Sequence, residues 1–261
     1  MTLSLLTPEI LIVFLLLTIR IGAIVLSLPL LNSRNIPAQL KVMLILMLSV
    51  ALYPLVQTQQ VVIPQRLGHL GLIVVSEMLI GLTIGFVAQI LFAGIQLGGE
   101  IISQQMGLNF ATIFDPQNAH QVSLIAHFQD VLAMLLFLSG SAHHWFIFAM
   151  AESLQSIPLG ALSASGAVLP VILTLLGKAC VIAIQLAAPV SIALLLATLV
   201  LGVIARLVPQ LNVFMLSFPA TLGLGMVMLA LALPALMGGI QLAFGQLGND
   251  LVQVIRVLGA R

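Results

Sequence analysis

The chain has little charge and a single cysteine, and these two shortages exclude whole classes of protein. Only 6% of its 261 residues are charged and 61% are hydrophobic, which leaves too few charges to cover the surface of a soluble domain. The lone cysteine, Cys180, excludes a disulfide framework and a thiolate metal site. A formal net charge of +1 provides no basic patch for phosphates, so nucleic acid is excluded as a partner. The composition predicts an integral membrane protein.

Long apolar runs cover most of the chain and predict an all-α membrane protein with about six helical segments. About 20 apolar residues span about 30 Å as a helix, so three of these runs are too long for one upright span. They must tilt, extend beyond the bilayer or break. Because proline lacks the N–H that a helix needs, we expect breaks at Pro219 and Pro234. The six segments are residues 10–31, 40–56, 68–102, 122–138, 168–207 and 213–244.

Glycines in the third run are spaced for close contact between helices. Gly81 and Gly85, and again Gly94 and Gly98, are four residues apart, which places each pair on one helix face. Such pairs let two backbones approach closely where lipid provides no hydrophobic drive for association. The same run contains polar side chains, so part of it must face protein or a water-filled space. These are Glu77, Gln89, Gln96 and Glu100.

Residues 104–121, with the sequence QQMGLNFATIFDPQNAHQ, form the longest non-spanning segment inside the apolar body. Gly107, Asn109 and the pair Asp115-Pro116 argue against a regular helix through it. Its many apolar side chains favour burial against other protein. Irregular backbone at membrane depth persists only inside protein or along a cavity. We therefore expect this segment to line or fill an internal space.

The C-terminal residues 247–261 form an amphipathic tail. Leu247, Leu251 and Leu258 share one helical face with Val254 and Ile255, and polar residues lie opposite. Such a tail could lie on a surface or dock on a partner. Residues 1–261 are interpreted as one integral membrane domain.

Four ionisable residues inside the apolar runs leave two functional hypotheses open. Arg20, Glu77, Glu100 and Lys178 either pair with each other and with neighbouring subunits, or form a proton relay in a small-molecule secondary transporter. The transporter hypothesis requires Glu77 or Glu100 to titrate with transport.

Enzymatic function has little support in the sequence. The motifs of zinc proteases, phosphate-binding loops and acyl-transfer serines are absent. Ser141 and His143 lie too close in sequence to form a typical nucleophile–base pair, and His143-His144 lacks further metal ligands at workable spacing. We expect no enzyme activity, no cofactor and no metal.

A polar turn between the last two runs carries a recognisable motif. Gly202, Arg206, Pro209, Gln210, Asn212 and Phe214, followed by Phe218-Pro219, resemble the signature of the FliR family, the R/T-type subunits of type III secretion export gates. The resemblance continues elsewhere in the chain. Its other blocks are Gly81-x-x-x-Gly85-Phe86-x-x-Gln89, Gln96-x-Gly98-Gly99-Glu100, Gln104-Gln105-Met106-Gly107-Leu108-x-x-Ala111, Asp115-Pro116, Phe137-Leu138 before His143-His144, and Pro158-Leu159-Gly160.

The resemblance implies a subunit of the flagellar export gate in the bacterial inner membrane, within the flagellar basal body. Its hairpins would pack, as a fusion of P-like and Q-like parts, in a heteromeric helical assembly with P-type and Q-type subunits and the B-type switch subunit. Unfolded flagellar proteins would be its substrates, and membrane lipid would contact its outer face.

The resemblance also implies roles for individual residues. A pore-closing loop maps onto Met106, Gly107, Leu108, Asn109, Phe110, Ala111, Ile113, Phe114, Asp115 and Pro116. Channel or subunit packing maps onto Gly81, Gly85, Gln89, Gly98, Glu100, Gln104, Gln105, Arg206, Pro209, Gln210, Asn212, Phe214 and Pro219.

Overall fold

The structure is a computed structural model that describes residues 8–32, 36–56, 67–108, 123–160, 168–208, 210 and 213–259. Within these residues the chain forms eight helices and no strand, which confirms the predicted all-α fold. The helices are α1 (Pro8–Ser27), α2 (Pro29–Asn32), α3 (Ala38–Val56), α4 (Leu67–Met106), α5 (Leu124–Ser139), α6 (His143–Ser156), α7 (Val168–Leu207) and α8 (Val213–Gly259).

The number of candidate membrane spans agrees with the about six segments predicted from the sequence. In the described part of the chain, five helices are long and apolar enough to cross a membrane, namely α1, α3, α4, α7 and α8. The number is six if α5 and α6, which a short break separates, form one broken span.

The three over-long runs form three over-long helices. Helices α4 and α7 have 40 residues each and α8 has 47. The expected breaks at Pro219 and Pro234 do not occur, because both prolines lie inside α8. Membrane helices tolerate proline because neighbouring helices, Ser and Thr side chains and local backbone adjustments provide the freed carbonyl with a new partner.

The residues group into two compact units by their contacts. Unit 1 comprises Met1–Ile90, Ser141–Leu175 and Gln246–Arg261, and unit 2 comprises Leu91–Gly140 and Leu176–Gly245. Helices α4, α7 and α8 contribute residues to both units. Three of the four boundaries between the units thus fall inside continuous helices. No turn residues and no change in composition mark these boundaries in the sequence.

In unit 1 the C-terminal part of α8 is buried in its own chain. The five apolar residues predicted to share one face are all buried, while Gln253 and Arg256 are exposed. Gly248 lies against the ring of Trp145, and Gly259 lies beside Ser156. These contacts lie near the two ends of α6, so the end of α8 lies beside α6 and its amphipathic face docks within unit 1.

Unit 2 is organised around the C-terminal half of α4. Phe92 of this segment packs against Phe137 and Phe244, with ring centroids 5.9 and 5.6 Å away. Ala126 of α5 touches the position where a side chain on Gly99 would be, with its Cα 2.5 Å from an ideal Cβ. The ring of Phe92 offers a flat surface to its neighbours. At position 99 the backbone of α5 leaves no room for a Cβ, which explains the glycine there.

Candidate functional site

A fully buried ion pair lies within unit 1. Arg20 of α1 donates from Nε to Glu77 Oε2 of α4 at 2.5 Å, and both side chains are 0% exposed. Two of the four ionisable residues in the apolar runs are therefore paired with each other. Glu77 is held by its partner and has no access to solvent, so the structure offers no support for Glu77 as a proton carrier in a transporter.

The ion pair also holds the C-terminal end of α6. Arg20 Nη1 donates to the carbonyl oxygens of Ser153 at 3.0 Å and Ile157 at 2.8 Å. The last carbonyls of a helix lack intrahelical donors and carry partial negative charge, so a guanidinium is favoured there. The Gly160 N–H donates to Glu77 Oε1 at 2.9 Å. Gly160 has φ of +81°, a conformation that favours glycine, so the turn delivers this N–H without strain. We call Arg20, Glu77, Ser153, Ile157 and Gly160 the ionic cluster.

The glycines after Glu77 bring α4 into backbone contact with α1. An ideal Cβ on Gly81 would lie 2.5 Å from the Arg20 carbonyl oxygen, and one on Gly85 would clash with Ser27. Gln89 continues the same face, and its Nε2 donates to the Ser27 carbonyl oxygen at 2.9 Å. The residue numbers of the contacting positions increase in the same direction along both helices, so α1 and this part of α4 run parallel. The close approach predicted at Gly81 and Gly85 is present; their role in subunit packing stays a prediction.

In unit 2, Gly94 and Gly98 perform the same task against α7. Ideal Cβ atoms on them would lie 2.7 Å from the Ala179 carbonyl oxygen and 3.0 Å from the Ala183 carbonyl oxygen. A second face of the same part of α4 carries polar side chains that are not fully buried. Gln96 and Glu100 are half-buried, and Gln104 is exposed. These three residues, which we call the polar stripe, are spaced four residues apart. Within the described residues Glu100 has no ion-pair partner.

Helix α4 ends in a well-formed cap directly beyond the polar stripe. The Gly107 N–H donates to the Gln104 carbonyl oxygen and the Leu108 N–H to the Ser103 carbonyl oxygen, each at 3.1 Å. With φ of +79° at Gly107, this is a Schellman motif, which satisfies two of the last carbonyls of the helix. Met106 is the last helical residue and is 0% exposed. The first three residues of the predicted pore-closing loop are thus held firmly by α4.

The remaining predicted site residues lie outside these clusters or outside the described residues. Arg206 is exposed in the last turn of α7, Gln210 is an exposed turn residue, and Pro219 lies in α8. Gln105 is half-buried. The side chain of Phe214 is not among those described. Also outside are Asn109, Phe110, Ala111, Ile113, Phe114, Asp115, Pro116, Pro209 and Asn212.

No metal site emerges from the described residues. The rings of His143 and His144 lie 4.3 Å apart, but no group of three or more His, Cys, Asp or Glu residues in the described ranges could hold a metal ion.

The backbone groups of the ionic cluster could not be predicted from the sequence. Ser153 and Ile157 take part through carbonyl groups and Gly160 through its N–H, and no side-chain pattern marks such groups. The one available signal was glycine in the segment Pro158-Leu159-Gly160, because glycine is the residue that turns with positive φ require.

The sequence of this chain is similar to those of known bacterial proteins. Residues 11–247 match the family described as bacterial export proteins, family 1. The chain is similar to the flagellar biosynthetic protein FliR of Escherichia coli strain K12, with 33% identity over 242 residues that cover 92% of this chain and 91% of the relative. The FliR proteins of Pectobacterium carotovorum and Bacillus subtilis strain 168 are 32% and 33% identical, and the alignments cover 93% and 83% of this chain and 92% and 84% of those relatives.

Proposed function

This chain belongs to family 1 of the bacterial export proteins, the family that includes FliR, and from that premise we propose that it is a non-enzymatic subunit of the flagellar protein export gate. In this role it helps to form and seal the inner-membrane channel through which unfolded flagellar proteins leave the cell. P-type and Q-type gate subunits, and the B-type switch subunit, are its proposed partners.

The polar stripe is the observation that carries this proposal. Gln96, Glu100 and Gln104 lie on a 39-residue candidate membrane span, where Gln96 and Glu100 are only half-buried and Gln104 is exposed. A charged side chain facing lipid near the bilayer centre costs about 2.5–3.5 kcal/mol on insertion scales, so a lipid-facing stripe is unfavourable. A water-filled channel or a polar surface of a neighbouring subunit removes that cost.

The apolar exterior supports assembly with other membrane subunits. In the apolar stretch of α3 only 17% of the residues are buried within the chain, and in that of α7 only 22%. A large uncovered apolar surface requires lipid or partner helices. Close packing through glycine, as α1 and α4 show at Gly81, is the means by which membrane helices associate without a hydrophobic drive.

Replacing the three residues of the polar stripe with leucine tests whether the stripe faces lipid or faces a channel or a neighbouring subunit. If Gln96, Glu100 and Gln104 face a channel or a subunit, the triple leucine variant is expected to lose most secretion of flagellar proteins into the medium. A lipid-facing stripe would instead tolerate leucine well. Thr83→Leu is the matched control on the same helix. The Thr83 hydroxyl donates to the carbonyl oxygen of Leu79, one turn earlier in α4, at 2.8 Å, so it needs no partner outside the helix. Secretion by the triple variant at the level of the Thr83→Leu control would contradict the proposal.

Steric closure of the channel is the proposed role of the segment that begins at Met106. Its support is the rigid end of α4 next to the polar stripe and the apolar, irregular sequence that follows. Deleting residues 110–114 is expected to raise the ion leak of assembled complexes, because the deletion removes apolar bulk from the path and leaves helices α1 to α8 as given above untouched. Ion flux into vesicles, normalised to the amount of assembled complex, measures this. An unchanged leak from intact complexes would rule out the closing role.

A further inference from the structure

The N-terminal half of α6 carries an exposed aromatic surface within unit 1. Trp145 is 43% exposed, Ile147 44% and Phe148 47%, and the rings of Trp145 and Phe148 meet edge to face with centroids 6.1 Å apart. Phe146, which lies among them in the sequence, is 1% exposed and belongs to the core. Helix α6 therefore buries one face in its own chain and directs bulky apolar side chains outward from another. We call Trp145, Ile147 and Phe148 the aromatic surface.

Gly248 of α8 sets the orientation of the Trp145 ring. An ideal Cβ on Gly248 would lie 2.6 Å from Cε3, 2.7 Å from Cδ2 and 2.8 Å from Cζ3 of Trp145, so the ring lies directly against the backbone of α8. All three atoms belong to the six-membered ring, so the edge that carries the indole Nε1 lies farther from Gly248. An indole N–H can only donate a hydrogen bond, and its surroundings must therefore supply an acceptor.

The start of α6, directly before the aromatic surface, favours polar surroundings. The residue that precedes the helix is Ala142, whose side chain has no oxygen to cap the first N–H groups. Such N–H groups give the start of a helix a partial positive charge, which is complementary to anionic groups such as lipid phosphates. Ser141 and His144, on either side of this point, are exposed. Polar and aromatic groups thus lie within two helical turns of each other.

The region of the lipid headgroups matches the aromatic surface better than a neighbouring helix does. Tryptophan is enriched where the hydrocarbon core meets the headgroups, because its ring is apolar and its N–H finds acceptors there. Membrane helices instead approach each other through small residues, as α4 does at Gly81 and Gly94. The sequence of α6, HHWFIFAMAESLQS, contains no glycine. Helices α1 and α3 of the same unit are candidate membrane spans, which brings lipid to this unit.

We propose that the aromatic surface anchors α6 at the membrane–water interface, with the Trp145 ring at the level of the lipid headgroups. Ester and phosphate oxygens accept hydrogen bonds from the indole N–H and from the start of α6, and the upper part of the acyl chains covers Ile147 and Phe148. This inference does not depend on the proposed export role, because it concerns only the position of this chain in a bilayer.

Trp145 is the only tryptophan in the sequence, so the fluorescence of the unmodified chain reports its position. The full chain is reconstituted into phospholipid vesicles whose acyl chains carry bromine, a fluorescence quencher, either near the headgroups or near the chain ends. The hydrocarbon core is about 30 Å thick, so Trp145 is expected about 10–15 Å from the bilayer centre. The shallow bromine should then quench its emission more strongly than the deep bromine does.

Met47 provides a deep reference in the same unit. It is the middle residue of the 19-residue helix α3 and is 62% exposed. A helix of this length just crosses the hydrocarbon core, so the tryptophan of the Trp145→Phe/Met47→Trp variant is expected within about 5 Å of the bilayer centre. This variant should show the reverse order of quenching, and Trp145→Phe alone gives the background emission.

Three results with the chain alone would overturn the inference. Stronger quenching of Trp145 by the deep bromine would place the ring in the hydrocarbon core. Quenching by acrylamide in the water, with none by either lipid, would place it in solvent. Protection from all three quenchers would show that protein covers it.

The assembled complex distinguishes lipid from a partner subunit. In vesicles that contain this chain with the P-type and Q-type subunits, the contribution of Trp145 is the difference in emission between complexes with the wild-type chain and with Trp145→Phe. Shallow quenching of that difference is expected to persist. Its loss on assembly would show that a partner helix covers the aromatic surface, and the inference would fall. If no such complex forms, the proposed function fails, and the measurement on the chain alone still decides this inference.

Discussion

Replacing Glu77 with alanine is expected to lower the free energy of unfolding by about 3–5 kcal/mol, the cost of removing one partner from a buried ion pair. The Arg20 guanidinium would then be a buried charge without a counterion, since both side chains are 0% exposed. The Gly160 N–H would lose its acceptor as well. The midpoint of thermal unfolding in mild detergent should fall by about 10 °C.

The matched control for Glu77→Ala is Glu152→Ala on α6. Glu152 is only half-buried, and its carboxylate accepts a hydrogen bond from Ser156 at the surface, 3.2 Å away. Its loss should shift the midpoint little, because exposed interactions of this kind contribute at most about 1 kcal/mol. Equal midpoints for Glu77→Ala and the wild type would show that the ionic cluster does not stabilise the fold.

A double variant tests whether the charge itself is the cause. Arg20→Met/Glu77→Leu removes both charges and replaces them with apolar side chains, which is often neutral or better for a buried pair. The pair is not fully satisfied, because within the described residues Arg20 Nη2 is buried without a hydrogen-bond partner. We expect the double variant to recover most of the stability that Glu77→Ala loses. Recovery would be incomplete, since the carbonyl oxygens of Ser153 and Ile157 would lose the guanidinium donor, and only that of Ser153 would keep a donor recorded among the described residues, the Ile157 N–H.

Gly81→Ala is expected to destabilise the protein by about 1–3 kcal/mol, the usual cost of overpacking. The added Cβ would lie 2.5 Å from the Arg20 carbonyl oxygen and 2.6 Å from Cβ of Ala23. Backbone atoms cannot rotate away, so α1 must move as a whole. That movement would also pull Arg20 from Glu77, which couples the glycine contact to the ion pair. The unfolding midpoint in detergent measures the loss.

Gly71→Ala on the same helix should have the opposite sign. No atom lies within 4 Å of an ideal Cβ at Gly71, and alanine is the better helix former by about 1 kcal/mol. The difference between the two substitutions therefore reports the contact with α1 rather than the chemistry of glycine. A Gly81→Ala variant as stable as Gly71→Ala would show that α1 and α4 do not pack as closely as the structure describes.

Local patterns in the sequence were enough to predict the helices and the faces that pack. Apolar length predicted the spans, glycine spacing predicted the contacts at Gly81 and Gly85, and periodicity predicted which residues of the C-terminal tail share one apolar face. These features depend on residues close together in the chain. Even so, the expectation of breaks at Pro219 and Pro234 was wrong, because a proline removes one hydrogen bond and the rest of α8 continues around it.

Contacts between residues far apart in the chain could not be predicted. Arg20 and Glu77 were recognised as ionisable residues in apolar runs, but their pairing depends on how α1 lies against α4. Gly225 carries no local signal at all, since Gly223, two residues away, faces open space while Gly225 faces Met106. Only the tertiary arrangement distinguishes these two glycines.

Assembly with other gate subunits is the central claim, and a native mass determination tests it most directly. The tagged protein would be purified gently from cells that co-express candidate P-type and Q-type subunits. The proposed function predicts one large heteromeric complex that contains this chain together with both small subunits. A monomer or homodimer without them, although both are present in the same membrane, would contradict it.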